Sequence, residues 1–153
     1  MAKPVVFAFG MGLVYLGDGA GSEIFSKLCG FKNIGLTIEK DTNDTVIADC
    51  DDPDLAVWRD TDVTAMGWSA EFSGEMAKAA EALLWAAVNG NVSRNIRIRI
   101  VGGGTGSGTP DLEFSGAAHI TYAITGEFGG KLQVAVTATG DGALTRASVA
   151  ALP

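Results

Sequence analysis

The stretch Val14-Tyr15-Leu16-Gly17-Asp18-Gly19, continuing as AGSEIFSKLCGFKNIGLTIE to Glu39, decides how this chain folds. It reads as a strand, a Gly-Asp-Gly turn, a second strand and a third, with few charges. Side chains alternate across a strand, so Ile34, Leu36 and Ile38 share one side, with Thr37 and Glu39 opposite. Working outward, the same period recurs. Met66, Trp68, Ala70 and Phe72 oppose Gly67, Ser69, Glu71 and Ser73, and Ile96, Ile98 and Ile100 alternate with Arg97 and Arg99. Ile120, Tyr122 and Ile124 lead through the turn Glu127-Phe128-Gly129-Gly130 to Leu132, Val134 and Val136. Short strands separated by turns predict a mainly β protein, an antiparallel sandwich or barrel.

One segment has the other period. From Glu75 to Asn89 the apolar positions Ala80, Leu83, Leu84, Ala87 and Val88 follow helical spacing, which predicts one flanking helix with those five residues as its core face. Ser73 is placed to cap it, Glu75 to sit at the positive end of its dipole, and Gly90 to stop it in a left-handed conformation. The segment from Asp41 to Asp62 holds eight aspartates around Pro53 and reads as a long acidic loop. Loops of that length inside a compact domain tend to carry function. Gly102 to Pro110, GGGTGSGTP, reads as a flexible hairpin tip.

The 153 residues suit one domain, 1–153, which buries roughly two-thirds of the surface its unfolded chain exposes. Eleven basic against eighteen acidic residues give −7, which argues against a protein that grips nucleic acid by neutralising phosphates. Cys29 and Cys50 form no CxxC pair and are expected to be free thiols. Lys3 and the apolar run Pro4 to Leu16 imitate a secretory signal. A single basic residue, no A-x-A site, and Gly10 and Gly12 within the run suit a bending strand or arm better. No segment reaches the roughly 18 to 20 apolar residues of a membrane helix.

Chemistry-bearing motifs fail on inspection. Asp49, Asp51, Asp52 and Asp54 approximate a calcium loop, but Pro53 and Asp54 stand where that loop needs an acid or amide and then glycine. Gly102 to Gly108 lacks the Lys-Ser/Thr pair of a phosphate loop, and Tyr15 stands where a dinucleotide fingerprint needs glycine. His119 has no cysteine or G-x-S-x-G serine to serve and reads as a turn or packing residue. The chain is therefore read as a non-enzyme without cofactor or metal. Trp68 falls among strand core residues and Trp85 beside the helix stripe, which leaves Trp58 as the contact residue.

Val14 to Gly19 running into Phe25 and Leu28, Asn33 to Glu39, Asp44-Thr45-Val46, Trp58-Arg59, Trp68 to Gly74, the helix to Gly90 and the closing Leu132 to Gly140 strand resemble the major tail tube proteins of long-tailed, siphovirus-like bacteriophages. The ending GDGAL, Gly140 to Leu144, is also similar, whereas Gly102 to Pro110 is longer than the family's pattern. The resemblance implies a structural subunit of a phage tail tube, a β-sandwich flanked by one helix. Six copies would close a ring whose inner sheets join into a barrel, and stacked rings would form a conduit for DNA delivery. Four strands from each of six copies, at 4.8 Å spacing and 40° tilt, give a backbone diameter of about 48 Å and a bore of about 38 Å. By the same resemblance, Asp49, Asp51, Asp52, Asp54, Trp58 and Arg59 form an inter-ring or inter-subunit loop, with Trp58 as anchor. Glu39 and Glu71 are the lumen candidates, and the tails Ala2 to Phe9 and Val149 to Pro153 are expected to dock on neighbours. Implied partners are the chain itself as stacked homohexamers, tape-measure, tail-terminator and tail-tip proteins, and DNA in transient, non-specific passage, with no membrane. The implied location is the virion tail, and the host cytoplasm during assembly. Two other readings stand beside it: a secreted β-sandwich carbohydrate-binding or adhesion module using Trp58 and the Asp-rich loop, and the ring-forming tube protein of contractile secretion systems.

Overall fold

The computed structural model describes Ala2, residues 12–101 and residues 110–150. In chain order these form β1 (Gly12–Gly17), β2 (Phe25–Leu28), β3 (Phe31–Thr45), β4 (Asp60–Glu75), α1 (Lys78–Val88), β5 (Arg94–Ile100), β6 (Asp111–Thr125), β7 (Gln133–Gly140) and β8 (Thr145–Val149). The strands make one antiparallel sheet in the order β2-β1-β5-β6-β7-β4-β3, and β8 adds to β6. β6 is the pivot. Ala118 pairs with Arg94 on one side and Gly140 on the other, and further back Asp111 to Ser115 take β8 on the edge that β7 has left.

β2 and β3 lie at opposite ends of that strand order, yet only Cys29 and Gly30 join them. Three Cα steps reach at most about 11 Å, whereas a flat path of seven strands would separate its edges by about 29 Å. The sheet must therefore be rolled until its edges approach. The two edge strands do not pair, so the roll is not closed, and the mainly β antiparallel expectation takes the form of one open, rolled sheet. Contacts across the roll agree: a Cβ on Gly12 of β1 would meet Ile34 Cδ1 of β3 at 2.8 Å. Phe31 stands edge-on to Phe72, ring centroids 5.8 Å apart.

Inside the roll the inward positions form one apolar cluster, with Val14, Phe72, Leu84, Ile96 and Val136 almost wholly buried. Each such side chain contributes about 1.5–3 kcal/mol relative to an exposed one. Trp68 lies just beyond the β4–β7 ladder, which begins at Ser69 and Thr139, and its indole lies against Gly140 of β7 and Gly116 of β6. A Cβ on Gly140 would fall 2.5 Å from Trp68 Nε1, and one on Gly116 would fall 2.8 Å from Cζ2. Two glycines thus make the slot for one tryptophan, whose indole N–H donates to Gly142 O at 3.1 Å. The β6–β7 connection needs glycine for a different reason: Gly129 has φ +84°, and Gly130 N–H donates to Glu127 O at 3.0 Å to close the turn.

The helix buries Ala80, Leu84 and Ala87 and half-buries Leu83 and Val88 against the cluster, the five positions read from the sequence. Its start is corrected. Ser73 and Glu75 belong to β4, where they pair with Ala135 and Gln133, and the cap position is Ala77 with no side-chain bond. The sheet ladder outcompetes a hydroxyl cap because it satisfies both backbone groups of each residue. The end is corrected too: Asn89 caps in right-handed conformation, and Gly90 is not among the residues with positive φ.

The long acidic loop from Asp41 to Asp62 is also revised. β3 and β4 stay paired out to Thr45 and Asp60, across one bulge at Asp41 and Thr42, so only residues 46–59 form a loop. Thr42, Thr45, Thr61 and Val63 are β-branched residues that suit a pleated ribbon despite the neighbouring aspartates. At the start of β6, Asp111 is fully buried and accepts from Arg99 Nε at 2.9 Å, while Arg99 Nη2 donates to Ala150 O at 2.5 Å. That pair ties the end of β8 to β5, and Val149, expected in a tail that docks on neighbours, is part of this subunit's sheet. The glycines of the tip at 102–108 and most of both tails lie outside the described residues.

Candidate functional site

Behind the core, the other face of β3, β4, β7 and β6 is turned to solvent. Thr37 and Glu39 of β3, Gly67 and Glu71 of β4, Thr137 and Thr139 of β7, and His119 and Thr121 of β6 are all exposed, and in β6, β7 and the inner part of β4 they alternate with less exposed, mostly buried neighbours. Register places Glu39 opposite Gly67 and Glu71 between Gly35 and Thr137, so both lumen candidates share one face. Asn33, Gly35, Ser69, Ser73, Ala123, Thr125, Gln133 and Ala135 fill the positions between, Glu75 stands opposite Gln133 at the end of the face, and no lysine or arginine falls in the alternation from Asn33 to Glu39 or its partners. His119, read as a turn or packing residue, instead stands exposed in mid-strand, with Nε2 3.7 Å from Asp141 Oδ2.

β7 pairs with β4 only from Ser69 to Glu75, so Asp60 to Trp68 continue with β3 as a two-stranded ribbon of about 30 Å. Ile38, Val63 and Met66 extend the core-facing side of β3 and β4 into this ribbon, yet each is more than half exposed. At its tip Asp49, Asp51, Asp52, Asp54, Trp58 and Arg59 are brought together on one loop. Asp49 Oδ1 accepts from Asp51 N–H at 2.8 Å, which shapes a local turn. Arg59 Nη1 donates to Asp44 Oδ2, and Thr61 Oγ1 to Asp44 Oδ1, both at 2.8 Å, so the loop base is fastened to β3. Trp58 itself is 95% exposed.

The opposite end of β4 was not singled out by the sequence. There Glu75 accepts from Lys32 Nζ at 2.8 Å and Lys131 Nζ at 3.4 Å, and those two ammonium groups hold its carboxyl below the ordinary 4.5. Lys32 is the bulged residue of β3 and Lys131 follows the β6–β7 turn, so only the ladder register brings them to one carboxylate. Beside them Phe128, at the tip of that turn, is fully exposed. An aromatic between Glu127 and Gly129-Gly130, where turns favour polar residues, is the signal that could have found this end. Trp85, expected beside the core stripe, is 56% exposed, so Trp58 is not alone as an exposed indole. Elsewhere Asp18 Oδ1 accepts from the N–H groups of Ala20 and Ile24, which lower its pKa from 3.8 and fix the β1–β2 turn.

Among the described residues no three potential ligands gather to hold a metal, and Cys29 and Cys50 are free and exposed. No described helix is long and apolar enough to cross a membrane. A rolled sheet with one face in the core, a polar wall on its back and exposed aromatic groups at both ends defines a structural β protein made to meet other surfaces. The chain belongs to the phage tail tube protein family, whose model matches residues 8–146.

Solved structures share the fold. The tail of an empty gene transfer agent particle with C6 symmetry is 18% identical, over 87% of this chain and 92% of that chain, with a TM-score of 0.59. The SPP1 tail tube is 11% identical, over 98% and 81%, with a TM-score of 0.61. The tube-terminating cap of the anti-feeding prophage is 14% identical, over 97% and 95%, with a TM-score of 0.65. Among curated protein sequences, none matches significantly. The family is one of structural tail tube subunits of the virion, and the carbohydrate-binding alternative finds no support in it.

Proposed function

We propose that this chain closes into hexameric rings that stack as a tail tube, and that the polar face of β3, β4, β7 and β6 lines the bore through which DNA is delivered. The observation that carries the reading is the composition of that face: four adjacent strands of mostly small neutral side chains, with Glu39 and Glu71 as acids along it and cations only at its Gln133 end, where Lys32 and Lys131 meet Glu75. Lysines on such a wall would release counterions and hold DNA, whereas this wall lets it slide. Four strands are also the number that, taken six times, gives a barrel about 48 Å across its backbone. The C6 symmetry of the gene transfer agent tail supports a six-fold ring, and the likeness to a tube-terminating cap supports tail-end partners in addition to the chain itself. The loop at residues 46–59 contacts another subunit through Trp58. Assembly takes place in the host cytoplasm.

Negative-stain electron microscopy of the purified protein over a concentration series tests the ring. Open rings or tubes are expected, and featureless monomers at every concentration would overturn the reading. Replacing Glu39 and Glu71 together by lysine tests the wall: tubes should still form while genome delivery slows or stops. Unchanged infectivity would remove these strands from the bore.

A further inference from the structure

The charge of this chain is divided in an unusual way. Residues 41–62 hold eight aspartates and one arginine, a balance of −7, which is the formal charge of the whole chain. Everything outside the hairpin therefore sums to zero, ten acidic against ten basic residues. The other end of β4 carries exposed ammonium groups instead: Lys32 and Lys131 share the carboxylate of Glu75 and keep 65% and 79% of their side chains exposed, with Glu127 the further acid of the neighbouring turn.

Resting on the tube reading above, we propose that the Lys32–Glu75–Lys131 end, with Phe128, is the acceptor for the acidic hairpin of a second copy of this chain in the next ring. Three observations converge on it. First, the two surfaces terminate the same strand: β4 runs sixteen residues, about 50 Å, from Asp60 at the hairpin to Glu75 at the lysines. Barrel strands tilted about 40° run between the two faces of a ring, so these ends lie on opposite faces. A contact between them is head-to-tail and repeats indefinitely as an open filament. Second, the exposed ammonium groups of Lys32 and Lys131 complement the hairpin aspartates, which steers encounter and fixes orientation. Two hairpin faces brought together would repel, so one arrangement also rejects reversed rings. Third, each charged end carries exposed aromatic surface, Trp58 on one and Phe128 on the other, the residue type that dominates interface energy once desolvated. The hairpin needs such a seat, since a lone two-stranded ribbon is marginal in water.

The test compares wild type with the double variant K32E/K131E, with Phe128→Ala, and with a charge swap combining K32E/K131E and D51K/D52K, by electron microscopy and sedimentation at low and high salt. Wild-type stacking should weaken as salt rises. K32E/K131E should keep rings but lose stacked tubes at least tenfold, and the swap should restore them. Phe128→Ala, whose side chain touches little in the subunit, should melt as wild type and stack poorly. Normal tubes from both K32E/K131E and Phe128→Ala would overturn this acceptor while leaving the tube reading intact. Wild-type protein that never forms rings would overturn the tube reading and this inference with it.

Discussion

β3 and β4 carry one alternation along their length, yet they have two different fates. In the body of the roll Ala70 and Phe72 are buried in the core and Leu36 packs against it. Further out Ile38, Val63 and Met66 occupy the same side of the same ribbon and face water. The difference is not in the residues but in what lies across from them, because β7 stops pairing at Ser69. Alternation states which side of a strand is apolar, while coverage depends on the length of its neighbours. An apolar side without cover, on a ribbon too thin to be stable alone, is a surface prepared for another molecule.

Body and hairpin should respond to substitution in opposite ways. The largest loss of folding stability is expected from Phe72→Ala, about 3–5 kcal/mol in denaturant unfolding, since a buried aromatic leaves a cavity the roll cannot refill. Gly140→Ala follows at about 1–3 kcal/mol, as its methyl would press on the Trp68 indole. Backbone strain plays no part there, because Gly140 is not among the positive-φ glycines. A normal melt for Gly140→Ala would mean the tryptophan slot is loose.

Glu75→Gln should lower the melting temperature slightly at pH 7. Because the folded Glu75 pKa is depressed, its stabilisation is complete above the ordinary 4.5 and is lost as pH falls through the lower folded value. The gap between variant and wild type should therefore close in acid, and a gap that widens there would contradict the lysine contacts. The smallest effect on folding belongs to Trp58→Ala, within about 0.5 kcal/mol of wild type for so exposed a side chain, although tube yield should fall sharply. Normal tubes from this variant would take Trp58 out of the interface.

Much of the body was legible because period-two patterning is local. Spacing alone gives most of the inward positions of β4, β5, β6 and β7 and the five-residue face of α1, although Met66, Ile124 and Leu132, read as inward, are exposed. The hairpin was half legible. Its composition marked it out, but eight aspartates masked the threonines and valine that carry the ladder to Thr45 and Asp60. Ser73 misled because a capping signal is weak against a strand that continues two residues longer, and Gly90 because Asn89 already ends the helix in right-handed conformation. The lysine end could not be read, since Lys32, Glu75 and Lys131 meet only through a bulge and two ladders.

By itself, the sequence determined the antiparallel β character, the helix and its buried face, the concentration of acid around Asp49 to Asp62, and the kinship with tail tube proteins. All of these rest on neighbours in the chain or on order along it. Only the tertiary structure decided that the sheet rolls without closing, that Glu39 and Glu71 share one polar face, and that two lysines meet on Glu75 at the end of β4 remote from the hairpin. Those depend on register between residues as far apart as Lys32 and Lys131, and hydrogen-bond register between distant strands is set by the packed whole.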